Sequence, residues 1–202
     1  MPQASPPVTH LLYLHGFRSS PQSAKAKQMA AWVASRAPKV TWWCPQLPPS
    51  PREAVDQLLQ GIAGWPRDRM GIVGSSLGGF YATVLGERIG CPTVVLNPAV
   101  DPARDLARHI GETTQWHSDD TFFFREEYVD ELRAMTPGAL AVPSRYFAVI
   151  ATGDEVLDWR EMSERYRGAH LRIVEGSDHG LTDFDEHLPH VLRFLGLVPG
   201  RD

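Results

Sequence analysis

Short apolar runs alternate with amphipathic stretches along most of this chain, and that alternation restricts the fold more than any other feature. Leu11–Leu14, Val40–Cys44, Met70–Val73, Thr93–Leu96, Tyr146–Ala151 and Leu171–Val174 are four to six residues long and apolar without a polar face. Strands of that kind are buried on both sides, which a mainly parallel sheet with helices on both faces provides. Ser20-Pro21 predicts the start of a helix reaching about Arg36, and Ser50-Pro51-Arg52-Glu53 reads as a capping box with proline at the first helical position. Behind that box Val55, Leu58, Leu59 and Ile62 share one helical face. Pro189–Leu195 reads as a closing helix. The expected fold class is therefore α/β, with about six strands in a single domain over residues 1–202.

The rhythm breaks between Asp101 and Val142, a stretch expected to form a cap insertion of a few short helices. No Gly-x-Gly-x-x-Gly turn follows the first strand, and the glycine-rich turn after the third lacks the lysine of a phosphate loop. A formal charge of −4 disfavours a nucleic-acid binder. No run is long enough for a membrane span, and the first residues carry neither a basic nor an apolar leader segment, so a cytoplasmic protein is expected. Cys44 and Cys91 lack metal-ligand spacing and read as small buried side chains.

Ligands of open α/β sheets sit beyond the carboxyl ends of the strands, so the chemistry is expected at those ends. The third strand runs into Gly74-Ser75-Ser76-Leu77-Gly78, the Gly-x-Ser-x-Gly pattern of a nucleophile on a sharp strand-to-helix turn. A serine nucleophile needs a histidine base held in one tautomer by an acid. His179 follows the last strand within Gly176-Ser177-Asp178-His179-Gly180, whereas His187 and His190 lie at the closing helix and are expected to be solvated, and His170 precedes its strand. Asp154, just past the fifth strand, is the expected acid; Asp101 is the runner-up, and Asp158 reads as the cap of a following helix. The backbone N–H groups of Leu77 and of Phe17, in the loop His15-Gly16-Phe17-Arg18, are the candidate oxyanion donors. Phe17, Trp116 and Phe122–Phe124 could line an apolar acyl pocket or pack the cap onto the core, and Arg18 could meet an anionic substrate group or simply be solvated. The chain order serine, acid, histidine is that of the α/β-hydrolases.

These segments resemble the small YqiA-like esterases of the α/β-hydrolase superfamily. The resemblance is carried by Tyr13-Leu14-His15-Gly16-Phe17, Ser19–Ala26, Cys44-Pro45-Gln46-Leu47-Pro48, Gly74–Ala82, Leu96-Asn97-Pro98-Ala99, Thr152–Asp158 and Gly176–His179. It implies an α/β-hydrolase fold and an esterase or thioesterase using Ser76, Asp154 and His179 on a small acyl ester or thioester, with no cofactor or metal. The departure from the family lies in the cap, at Ser118–Phe124. A non-catalytic binding protein on the same fold is the competing expectation. Oligomeric state is not legible.

Overall fold

The computed structural model describes residues 7–114 and 121–199. Six parallel strands form the main sheet: β1 (His10–Leu14), β2 (Thr41–Trp43), β3 (Met70–Ser75), β4 (Thr93–Leu96), β7 (Tyr146–Ala151) and β8 (His170–Val174), in the order β2-β1-β3-β4-β7-β8. Because successive strand side chains point to opposite faces, the central strands β1, β3, β4 and β7 each feed two cores. Leu12, Leu14, Ile72 and Ala148 pack with α2 (Pro51–Gly61), α3 (Leu77–Ile89), α5 (Glu126–Met135) and α6 (Trp159–Arg165). Leu11, Tyr13, Val73 and Val149 pack on the other side with α1 (Ala24–Arg36) and α7 (Phe184–Phe194). This two-sided burial is why those four strands show no polar alternation, whereas Leu171 and Ile173 of the edge strand β8 are exposed.

Three boundaries or elements differ from the sequence expectation. Ser20 does not cap α1: its Oγ accepts from the N–H of Gln22 in a local turn, and the helix begins after Ser23, at Ala24. The closing helix starts at Phe184 and carries Pro189 inside it. The missing N–H of the proline is tolerated because Phe184, Leu188, Val191 and Leu192 form one buried stripe against the sheet, and tertiary burial outweighs the local penalty. Between Asp101 and Val142 the chain is not all-helical. It runs through α4 (Pro102–Leu106), a 3-10 turn at Ala107–His109, a hairpin of β5 (Gly111–Thr114) and β6 (Thr121–Phe124), and then α5. Phe123 and Phe124 take opposite faces of the pleat. Phe124 is buried in the core while Phe123 is 60% exposed, a two-residue period that a helical reading of the aromatic run misses.

The capping box reading of Ser50 holds in its first half: Ser50 Oγ accepts from the N–H of Glu53 at 3.2 Å. Its own proton goes to Glu131 of α5 at 2.8 Å, tying α2 to that helix. With all six strands parallel, the segments after Leu14, Ser75, Leu96, Ala151 and Val174 emerge at one rim of the sheet.

Candidate functional site

Ser76 sits between β3 and α3 with φ 55° and ψ −121°, a backbone region costly for any residue with a Cβ. Its surroundings fix it there. Its N–H donates to the carbonyl of Leu96 at 3.0 Å, and its carbonyl accepts from the N–H groups of Gly79 and Ala99 at 2.9 and 3.0 Å. The turn is so tight that a Cβ on residue 78 would lie 2.1 Å from the Leu14 carbonyl oxygen, which accounts for glycine two residues past the serine.

His179 Nε2 lies 3.1 Å from Ser76 Oγ, and His179 Nδ1 lies 2.7 Å from Asp154 Oδ2. The Asp154 side chain is fully buried, and its other oxygen accepts from the N–H groups of Val156 and Leu157, both at 2.8 Å. An ionised carboxylate can only accept, so the proton between Asp154 and His179 belongs on Nδ1, leaving Nε2 to accept from the serine hydroxyl.

The turn bearing His179 is held from three directions. Asn97, fully buried at the end of β4 with φ 40°, donates its amide protons to the carbonyls of Asp178 and His179 at 3.0 and 3.1 Å. Its Oδ1 accepts from the N–H of Ala151 at 2.8 Å. Glu155 accepts from the N–H of His179 at 3.0 Å, and Lys25 Nζ donates to the carbonyl of Gly180. Burial pushes the Lys25 ammonium down to about 8, against the opposing pull of Asp178 and Asp154. Asn97, Glu155 and Lys25 were not singled out for a role in the site from sequence. The signal was present only as an asparagine at a strand end, with the left-handed φ that asparagine tolerates.

The other acids are committed elsewhere. Asp101 caps α4 by accepting from the N–H of Arg104, Asp158 caps α6 by accepting from that of Arg160, and Asp178 accepts from Thr182. Among the histidines, His15 is buried. Its Nε2 accepts from the N–H of Leu47 at 3.2 Å, so Nδ1 carries the proton and faces the Gly16 carbonyl at 3.0 Å. Burial holds its pKa below the usual histidine value. His187 is not solvated as expected: it is 2% exposed, with Arg172 Nε donating to its Nδ1 at 3.0 Å. α7 begins earlier than the sequence suggests, which turns that residue inward. Cys91 is buried and Cys44 half-buried, and burial raises both thiols, to about 11 and about 12.

Ser76 and His179 open into a cavity of about 390 Å³. Phe17, Leu106 and Leu157 give it apolar walls, and Arg18, Arg108 and His109 add basic groups. Phe17 also stacks edge-on against Phe124 at 5.2 Å, so one ring serves both the cavity and the packing beneath it. Trp116, Ser118–Asp120 and the side chain of Phe122 lie outside the described residues. Among the described residues no group of three or more His, Cys, Asp or Glu side chains could hold a metal ion. No helix of the described residues is long and apolar enough to cross a membrane.

The model of the uncharacterised protein family UPF0227 matches residues 10–196. Solved structures of similar shape include the α/β-hydrolase domain-containing protein 10 from mouse, 12% identical over 94% of this chain and 90% of that one, with a TM-score of 0.70. One chain from a study of the metagenome-derived lipolytic enzymes LipS and LipT is 14% identical over 96% of each chain at a TM-score of 0.65. Est1E from Butyrivibrio proteoclasticus is 15% identical over 96% and 89%, at 0.64. At such identities the likeness establishes the α/β-hydrolase fold.

Proposed function

The chain belongs to the uncharacterised protein family UPF0227, the YqiA-like family, and from that premise we propose that it is a serine hydrolase of carboxylic esters working through an acyl-enzyme. One observation carries the reading: an unbroken hydrogen-bonded series from Asp154 through His179 to Ser76, at 2.7 and 3.1 Å, opening into a cavity.

In this reading Ser76 Oγ attacks the ester carbonyl carbon while its proton passes to His179 Nε2. The imidazolium that forms is stabilised by the Asp154 carboxylate and stays oriented by it. The carbonyl oxygen, now carrying negative charge, is received by the N–H of Leu77 and the N–H of Phe17. Leu77 is the first residue of α3, where the helix offers its N–H no internal partner and the helix dipole favours an anion. Gly16 lets the Phe17 loop run against the serine: a Cβ at residue 16 would lie 3.2 Å from Ser76 Cβ. The tetrahedral intermediate collapses as the C–O bond to the alcohol breaks, and His179 returns the proton to that alcohol. Water, deprotonated by the same Nε2, then releases the acid and regenerates Ser76.

A fluorophosphonate probe tests the reading. Labelling of the wild-type chain and none of Ser76→Ala supports it; a folded wild-type protein that is not labelled favours a binding protein on the same fold. A panel of 4-nitrophenyl esters and acyl thioesters graded by chain length then separates esterase from thioesterase, which would use the same three side chains.

A further inference from the structure

Among the described residues, the groups lining the cavity are more basic than the chain as a whole. The sequence carries a formal charge of −4, yet Arg18, Lys25, Arg108 and His109 all line the space shared with Ser76 and His179. Among the described residues one carboxylate lines it, Asp105, and that group is engaged elsewhere. Arg104 Nε donates to Asp105 Oδ1 at 2.8 Å, while the terminal nitrogens of the same guanidinium grip Glu161 at 2.9 and 2.7 Å.

The basic groups are fixed by the fold. Arg18 follows Phe17 in the loop after β1 and has φ 61°, a left-handed backbone that a residue with a long side chain adopts only when its surroundings impose it. Arg108 and His109 come from the 3-10 turn after α4. The two segments are joined by ring contact, Phe17 against His109 at 5.4 Å between centroids. His109 Nε2 accepts from Arg108 Nε at 3.4 Å, and its pKa is held below the ordinary value, first by desolvation and then by the charges of Arg108 and Arg18. Lys25 donates to the Gly180 carbonyl and Arg108 Nε to His109 Nε2, so the terminal nitrogens of Arg108 are the donors left for an anion.

We propose that the substrate is an ester bearing an anionic group, a carboxylate or a phosphate, received by the guanidinium of Arg108 in the cavity that contains Ser76. The proposal rests on the serine-hydrolase reading above. Planar guanidiniums suit such oxyanions because they donate two parallel N–H bonds at once. Leu106 and Leu157 line the same cavity and offer apolar surface to the carbon skeleton.

The test compares pairs of esters that differ in charge and little in size. 4-Nitrophenyl hemiglutarate against 4-nitrophenyl hexanoate places the anion on the acyl side. 4-Butyryloxybenzoate and 4-butyryloxyphenyl phosphate, each against 4-butyryloxytoluene, place it on the alcohol side. At least one anionic ester is expected to show kcat/KM about tenfold or more above its neutral partner, the scale of one charge-assisted contact. The ratio should shrink with added salt and in Arg108→Gln, and invert in Arg108→Glu. Equal kcat/KM within every pair overturns the proposal while leaving the hydrolase reading intact. If no ester is turned over and Ser76 is not labelled, the hydrolase reading fails, and the anion site is judged by binding alone. Calorimetry of glutarate, 4-hydroxybenzoate and phenyl phosphate with Ser76→Ala, with and without Arg108→Gln, then decides it. Binding that weakens with the second substitution supports an anion site; no binding, or binding indifferent to residue 108, ends the idea.

Discussion

Asn97 holds the backbone carbonyl of His179 at 3.1 Å from a position at the end of β4 where its own side chain is fully buried. The same amide reaches the Asp178 carbonyl and the Ala151 N–H, so one residue joins the strand before Asp154 to the turn carrying His179. Asn97→Ala is predicted to leave those three backbone groups unpaired and to cost about 2–3 kcal/mol in stability. It should also lower kcat by about 10- to 100-fold with little change in KM, because a displaced base misaligns proton transfer rather than substrate. Urea unfolding and steady-state kinetics on one ester check both. A stability loss with unchanged kcat would reduce Asn97 to a packing residue.

The identity of the acid gives a second prediction. Asp154→Asn keeps the shape but removes the charge facing His179 Nδ1, and its amide can present an N–H there, favouring the wrong imidazole tautomer. The rate should fall by about 10³- to 10⁴-fold. Asp158→Asn and Asp101→Asn alter helix caps only, at about 1 kcal/mol or less, and should retain near-wild-type kcat. A comparable rate loss in either of the latter, with Asp154→Asn still active, would reassign the acid.

Much of this was legible in the sequence, for reasons that differ by residue. The strands β1, β4 and β7 are readable because parallel strands buried on both faces must be apolar throughout. Ser76, Asp154 and His179 are legible as a candidate set because each lies in the turn that follows a strand, and the parallel arrangement brings those turns to one rim. Most of what the sequence concealed depends on contacts between distant segments. The hairpin of β5 and β6 is local, but neither four-residue strand is long enough for its pattern to separate it from a short helix. The start of α7 is set by a buried stripe that overrides Pro189. Asn97, Glu155 and Lys25 act through backbone groups of a turn over twenty residues away, and no spacing rule marks such partners.

Close packing around the serine separates two glycines by the kind of atom a methyl group would meet. At residue 78 a Cβ would lie 2.1 Å from the Leu14 carbonyl oxygen, fixed backbone of a central strand. Gly78→Ala is predicted to destabilise the fold by about 3 kcal/mol or more and to yield little soluble protein. At residue 16 the nearest atoms are Ser76 Cβ at 3.2 Å and the Ser75 carbonyl at 3.4 Å, so a shift of a few tenths of an ångström accommodates the methyl. Gly16→Ala should fold with a near-wild-type melting temperature yet react with the fluorophosphonate probe at least tenfold more slowly, since the shift falls on the nucleophile. Normal labelling of Gly16→Ala would show that the loop does not constrain Ser76.

His15 links pH to stability. In the folded protein its Nε2 accepts from the Leu47 N–H, and burial lowers its pKa below 6.5. The unfolded chain therefore binds a proton near pH 6.5 that the folded chain resists, so the stability contributed by neutral His15 is present above that pH and is lost progressively as the pH falls below it. His15→Gln retains an acceptor oxygen for Leu47 but does not titrate. The urea midpoint of the wild type should drop more between pH 7 and pH 5 than that of His15→Gln. Asp183 and Glu161, also held below their ordinary values, lose their contributions at lower pH in both proteins, so the difference between the two isolates residue 15. Since His15 joins the Gly16–Phe17 loop to Leu47, the wild type should also lose more activity over that interval than His15→Gln does. Parallel pH profiles in the two proteins would separate that loop from the acid sensitivity of the site.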